Sequence, residues 1–288
     1  MEKWQMSCLQ VEPRTPIHCG DRPTGFVASA LPFVPGHIPL MALVPHVVAA
    51  SGLPNKFDSF MTAQGFLEKH LRFTPFFILG AFSRKPLVPC NETDIMAEME
   101  SHLIGSRYGV AIDYGVRGAK EAHLFEIEAI NPIARERSQT IFEGYMFWRA
   151  GEHDGLEIDQ QGLLNGIEIG KWISDSQWGG ERNKGYGCIN KVGKIKKETI
   201  WQGKVNLGSK NPVICWPDDI PAPFYLKYDQ NISATIEGRL KPMVGRIFDR
   251  ANGFGQSSSE ALIVWDVGWV SQKQLKLEIN TKTAVIAD

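Results

Sequence analysis

Between Trp178 and Cys188 the chain reads Trp-Gly-Gly-Glu-Arg-Asn-Lys-Gly-Tyr-Gly-Cys, with four glycines in the nine residues from Gly179 to Gly187. Glycine gives up more conformational freedom on ordering than any other residue, so such a run belongs to neither a helix nor a strand interior. It predicts a loop whose backbone visits positive φ or lets another segment approach closely. Arg182 and Lys184 place charge in the same window, and Tyr186 offers an aromatic face. Lys191, Lys194, Lys196 and Lys197 follow. From Gly179 to Lys204, seven Lys/Arg stand against Glu181 and Glu198, a local +5 in a chain of net charge −1. The whole molecule is therefore no basic clamp, and any polyanion site is a local patch. Bare N–H groups together with cations are what phosphate holding requires. The glycine spacing fits neither G-x-x-x-x-G-K-[ST] nor G-x-G-x-x-G, which excludes the usual nucleotide loops. A tight connection whose glycines merely fit the turn is the alternative reading.

Around this loop the pattern is α+β. Gln5–Val11 alternates as a strand until Pro13 and Pro16 break it. Leu40–Ala50 reads as a buried helix closed by Ser51-Gly52, and Asp58–Arg72 and Glu92–Leu103 as further helices. Phe76–Gly80 fits a strand or a packed loop. Tyr108–Tyr114, His123–Ala129 and Thr140–Arg149 are β-branched and aromatic, as strands are. Gln160–Ile173 has apolar residues at roughly helical spacing, Asp154–Asp159 is a solvated hairpin tip, and Cys188–Ile200 is a basic strand. Helices sit among strands without strict alternation, so a ferredoxin-like (RRM-like, split βαβ) plan with insertions is expected over residues 1–201. From 202 to 288 turns multiply and strands appear at Ala261–Val270 and Gln274–Ile279, which predicts a smaller β-rich domain.

Several classes are excluded. No apolar run approaches the ~18 residues that would span a bilayer, and the first residues lack a signal-peptide core. A cytoplasmic protein is expected. The five cysteines, Cys8, Cys19, Cys90, Cys188 and Cys215, contain no C-x-x-C pair and read as reduced thiols. The seven histidines form no H-x-x-x-H or H-E-x-x-H pattern, so no metal is expected.

The loop form G-G-x-R-x-x-G-x-G, between a helix and a strand, resembles the signature of the RAMP superfamily of CRISPR RNA-binding proteins. Phe33-Val-Pro-Gly-His37 resembles that family's turn before its first helix, with His37 where the family usually has Ser. Arg107-Tyr-Gly-Val-Ala-Ile-Asp113 with Ala119-Lys-Glu-Ala-His-Leu-Phe125-Glu-Ile-Glu128, and then Phe142-Glu-Gly144, resemble its middle stretch and following F-x-G strand. The matches run in the family's order over residues 5–200. The middle stretch is most similar to the subunit capping the 5′ handle of the guide in type III effector complexes, above all the III-D form. That resemblance implies a non-catalytic subunit with no cofactor. Its partners would be crRNA, a large polymerase-like subunit and the backbone RAMP subunits, with target RNA a further one. Gly179, Gly180, Arg182, Lys184, Gly185, Tyr186 and Gly187 would line the RNA, with Arg107, Arg117 and Lys120 as second-rank phosphate contacts.

Two catalytic alternatives stand beside it. A guide-processing endoribonuclease would use a His as general acid/base on a 2′-OH, and His37 is the candidate. A target-slicing backbone subunit would need an acid on an exposed loop, and Asp21 in Cys19-Gly-Asp-Arg-Pro-Thr-Gly25 is placed for it. Each has a plain structural reading, His37 as a helix-start residue and Asp21 as a turn former. Among the aromatics, Tyr186 is the expected stacking face, whereas Trp172 and Trp178 and the Phe73, Phe76 and Phe77 group read as core or interface.

Overall fold

The computed structural model describes residues 3–80, 85–90, 99, 103–113, 115, 118–134, 137–249 and 253–287. The chain divides into two compact units, Met1–Leu87 with Asn91–Lys197, and Val88–Cys90 with Glu198–Asp288.

In the first unit the elements run β1 (Gln5–Pro13), β2 (Gly20–Thr24), β3 (Val27–Ala30), β4 (Phe33–Val34), α1 (His37–Ala50) and α2 (Phe57–His70). They continue as β5 (Leu71–Phe73), β6 (Phe76–Ile78), β7 (Leu103–Asp113), β8 (Gly118–Ile130), β9 (Phe142–Trp148), β10 (Gly151–His153) and β11 (Leu156–Ile158). The last are β12 (Leu163–Leu164), β13 (Ile167–Glu168), α3 (Ile169–Ser174) and β14 (Ile189–Ile195). The main sheet has the order β14-β1-β9-β6-β4, and β5 also pairs with β9. β1 lies antiparallel to β14 and to β9, while β5 and β6 are each antiparallel to β9. β1 and β5–β6 therefore point the same way with β9 between them, and the chain passes from one to the other through α1 and α2. This is the α+β, ferredoxin-like arrangement.

Alternation explains which face the helices cover. Leu9 and Val11 of β1, Phe142 and Met146 of β9, and Phe76 and Ile78 of β6 share one buried cluster with Leu40, Leu43 and Val47 of α1, Phe66 and Leu67 of α2, and Ile169 and Ile173 of α3. α1 is apolar nearly all round, and Pro39, Leu40, Ala42, Leu43, Val44, Val47 and Val48 are its buried residues. It ends where Ser51 N–H donates to the Val47 carbonyl (3.0 Å) and Gly52 turns to φ 65°. Its start is fixed from outside. A side chain at Gly36 would collide with the Phe73 carbonyl, which explains the glycine in Phe33-Val-Pro-Gly-His37.

Two insertions complete the unit. One is a four-stranded sheet of order β2-β3-β8-β7, in which β3 is parallel to β8 and β7–β8 is a long hairpin. The other is the sheet β10-β11-β12-β13, turning at Asp154-Gly155 with φ 50° and 75°. The helical spacing of Gln160–Ile173 is only partly realised. Gly162, Asn165 and Gly166 all take positive φ, so the stretch breaks into β12 and β13 before α3 forms. The helix expected over Glu92–Leu103 lies outside the described residues except for helical Met99 and for Leu103, which begins β7.

The second unit contains an eight-stranded sheet in the order Thr199–Ile200, Gly203–Asn206, Val213–Trp216, Leu275–Ile279, Ala284–Ile286, Leu226–Lys227, Leu262–Trp265, Leu240–Met243. Ile214, Leu226, Val264 and Leu277 are fully buried, and Trp269 Nε1 donates to the Phe224 carbonyl at 2.8 Å. Its only helical turn among the described residues is Ser233–Thr235. No helix among the described residues is long and apolar enough to cross a membrane.

Candidate nucleic-acid interface

The glycine-rich loop joins α3 to β14 and is tied at both ends to one segment of chain, Arg14–His18. Gly180 N–H donates to the His18 carbonyl (2.8 Å) and Gly187 N–H to the Pro16 carbonyl (2.8 Å). Trp178 N–H returns to the Gly187 carbonyl (2.9 Å), Arg14 N–H to the Cys188 carbonyl (2.8 Å), and Cys188 N–H to Thr15 Oγ1 (2.9 Å). The other side of that segment is pinned to β8. Ile17 and Ile130 exchange both backbone hydrogen bonds at 2.9 Å, and His18 Nδ1 donates to the Glu128 carbonyl at 2.6 Å. Glu128 Oε2 in turn accepts from Ala30 N–H of β3 at 3.1 Å. The loop is thus anchored through one segment to the inserted sheet.

Gly179 and Gly187 take φ of 85° and 82°, and a side chain on either would run into backbone, at the His18 and Trp178 carbonyls respectively. These glycines are spent on chain packing. The expected cradle of bare N–H groups is not what these positions provide, because the amides of Gly180, Lys184, Gly185 and Gly187 already donate within the protein. The tip differs. Arg182–Lys184 is a short 3₁₀ turn, exposed throughout, and Gly185 faces open space.

What remains for an anion is side-chain charge, and the fold concentrates it. On the β7–β8 hairpin, Arg107 lies opposite Ile127 and Gly109 opposite Phe125, so these four share one face. Tyr186 packs on that face with Ile127 and Ala129. The Arg107 guanidinium sits over the Tyr186 ring (5.8 Å) and Lys184 Nζ over the Phe125 ring (4.5 Å), bringing two cations onto neighbouring aromatic supports. Gly109 leaves the room that Phe125 fills. Lys184 also pairs with Glu181 Oε2 at 2.6 Å.

Tyr186 is not the open stacking face expected of it. Its ring is 3% exposed and forms the floor beneath Arg107. The basic strand after the loop is also largely neutralised by acids distant in sequence. Lys191 pairs with Glu12 (3.8 Å), Lys194 with Glu168 (2.7 Å) and Lys197 with buried Glu143 (2.7 Å). Arg117 lies outside the described residues, and Lys120 is placed on β8 by its backbone alone. Asp21 is exposed on β2, while half-buried His37 opens α1. His18, by contrast, touches the loop. Phe73, Phe76, Phe77, Trp172 and Trp178 are all buried. Phe125 and Glu181 are the site residues that sequence reasoning missed. The alternation Phe125, Ile127, Ala129 and the i,i+3 spacing of Glu181 and Lys184 were the available signals.

Cys188 closes the loop. Burial alone would raise its thiol, but hydrogen bonds from Gln177, Thr15 and Arg14 and the Arg14 charge bring it below the ordinary value. Among the described residues no group of three His, Cys, Asp or Glu is arranged to hold a metal ion.

No family model matches this sequence, and no curated protein does. Among solved structures, the chain is similar to one in the cryo-EM structure of Type III-B Cmr-beta bound to cognate target RNA and AMPPnP. They share 13% identity over 92% of this chain and 86% of that one, with a TM-score of 0.47. A chain of Type III-B Cmr-beta bound to cognate target RNA gives 14% identity over 93% and 86%, TM-score 0.45. A chain of its apo state gives 8% over 67% and 98%, TM-score 0.38.

Proposed function

We propose that this protein is a non-catalytic RNA-binding subunit of a CRISPR effector ribonucleoprotein, a RAMP protein that grips the 5′ handle of the crRNA and helps assemble the complex. The observation that carries the reading is the pairing of Arg107 and Lys184 over Tyr186 and Phe125, beside exposed Arg182, at the rim of the glycine-rich loop. Cations held over aromatic rings keep their charge while losing conformational freedom, which suits them to a phosphate backbone. The resemblance of the loop, the Phe33–His37 turn, the Arg107–Glu128 stretch and Phe142–Gly144 supplies the rest. The first unit would be the RNA-binding domain, and the large polymerase-like and backbone subunits would be its protein partners.

The test is binding of a fluorescent single-stranded RNA carrying the repeat-derived 5′ tag, titrated at several salt concentrations. Replacing Arg107 and Lys184 together by Ala is expected to weaken binding and flatten the log–log salt dependence by about 0.7 for each lost phosphate contact. Unchanged affinity and slope would remove this loop from the RNA site.

A second reading rests on the exposure of Asp21 on β2, next to the segment that anchors the loop. If the protein is instead a target-slicing backbone subunit, purified complex cleaves target RNA and Asp21→Asn abolishes the cut. The same assay with His37→Ala tests the guide-processing alternative.

A further inference from the structure

The cation at the loop tip is already satisfied by an anion of its own chain. Glu181 Oε2 lies 2.6 Å from Lys184 Nζ, with the two side chains 32% and 43% exposed. Glu181 adopts left-handed backbone, φ 55° and ψ 24°, immediately before the 3₁₀ turn. For a residue other than glycine that conformation is unfavourable. It turns the chain where Glu181 and Lys184 meet. Lys184 N–H also donates to the Glu181 carbonyl (2.9 Å), so backbone and side chain close the same small ring. At Lys191, Lys194 and Lys197 the acids come from other elements, but here the acid sits inside the proposed binding loop.

We propose that Glu181 is an internal phosphate surrogate, a carboxylate that holds Lys184 over Phe125 in the RNA-free protein and must leave when an RNA phosphate arrives. This inference rests on the RNA-binding reading above. A carboxylate and a phosphate oxygen compete for the same ammonium group, and Lys184 is one flexible arm that cannot serve both fully. The exchange favours RNA only where a phosphate is presented at that point, so loosely placed polyanion gains little. Glu181 thereby trades affinity for discrimination, as a repulsive element does in other specific interfaces.

The experiment is the same tag-RNA titration with wild type, Glu181→Gln, Lys184→Ala and the double variant. Glu181→Gln is expected to bind about 2–5-fold more tightly at low salt, the range of a partly exposed ion pair. Its salt slope should steepen by up to about 0.7. The gain should vanish in the double variant, which should match Lys184→Ala. Should Glu181→Gln fold poorly, Glu181→Asn removes the charge with a side chain that takes left-handed backbone more readily, and the same gain is expected. If Lys184→Ala weakens binding while neither Glu181 variant strengthens it, the surrogate role is wrong and the RNA reading stands. If wild type binds no tag RNA at any salt, the RNA reading itself is wrong and the inference falls with it.

Discussion

The roots of the glycine-rich loop and its tip use the same residue type for opposite purposes. At the roots, Gly179 and Gly187 are pressed against the carbonyls of His18 and Trp178, and the neighbouring amides donate to Arg14–His18 chain or within the loop. At the tip, Gly185 has the same left-handed backbone, φ 84°, but nothing stands within 4 Å of where its side chain would be. The roots are a weld between the loop and the inserted sheet. Among the described residues, the tip is a short charged turn held by local bonds and by Lys184 on Phe125. A glycine-rich sequence is therefore not uniformly a ligand cradle. Here the glycines fix where the charges stand, and on the proposed reading it is the charges that meet the RNA.

The strongest way to break this division is to add one methyl group at each end. Gly187→Ala combines left-handed strain with a backbone collision at Trp178, and a loss of about 3 kcal/mol or more is expected. Urea unfolding would read it as a lower midpoint with the slope unchanged. Gly185→Ala carries the backbone term alone, so about 1–2 kcal/mol is expected. Equal losses at the two positions would show that root and tip are one structural unit. A smaller effect is expected at Arg107. Its removal leaves Tyr186 packed on Ile127 and Ala129 and forfeits one exposed cation–π contact, about 0.5–1 kcal/mol. Its loss should weaken tag-RNA binding far more clearly than it lowers the unfolding midpoint.

Much of the framework was legible in the sequence because its signals are local. Alternation in Gln5–Val11 located β1, apolar continuity with a Ser-Gly stop located α1, and the glycine density located the loop. The α+β class followed from helices set among strands. What was not legible depends on partners far apart in the chain. The apparent +5 of the loop and its following strand is offset by Glu12, Glu143 and Glu168, and no window of sequence brings Glu12 to Lys191. Tyr186 shows the same limit. Its position in a glycine-rich loop suggests exposure, whereas the β7–β8 hairpin, far earlier in the chain, takes the ring into its own small cluster with Ile127 and Ala129. Gln160–Ile173 failed for a local reason that periodicity does not weigh. Positive φ at Gly162, Asn165 and Gly166 ends a helix however its apolar residues are spaced.

The finest test of root against tip needs no mutation. Cys188 is half-buried at the root, with Gln177 Nε2 donating to its sulfur at 3.3 Å. Burial raises its thiol and the hydrogen bonds and charge of Gln177, Thr15 and Arg14 lower it further than burial raises it, so its thiolate share at neutral pH exceeds that of an ordinary cysteine. Cys8 and Cys19 are pushed up to about 12, Cys8 by burial and the Glu143 charge and Cys19 by burial alone. Iodoacetamide at pH 7 should therefore label Cys188 in the native protein and leave Cys8 and Cys19 untouched until denaturant is added, as peptide mass analysis would show. Because Cys188 N–H, carbonyl and sulfur are all engaged at the weld, its labelling rate should follow opening of the root. On the proposed reading, in which tag RNA meets Arg107 and the loop tip but not the root, bound RNA should slow that rate little. Strong protection by RNA would place the ligand against the root and erase the distinction between the two ends.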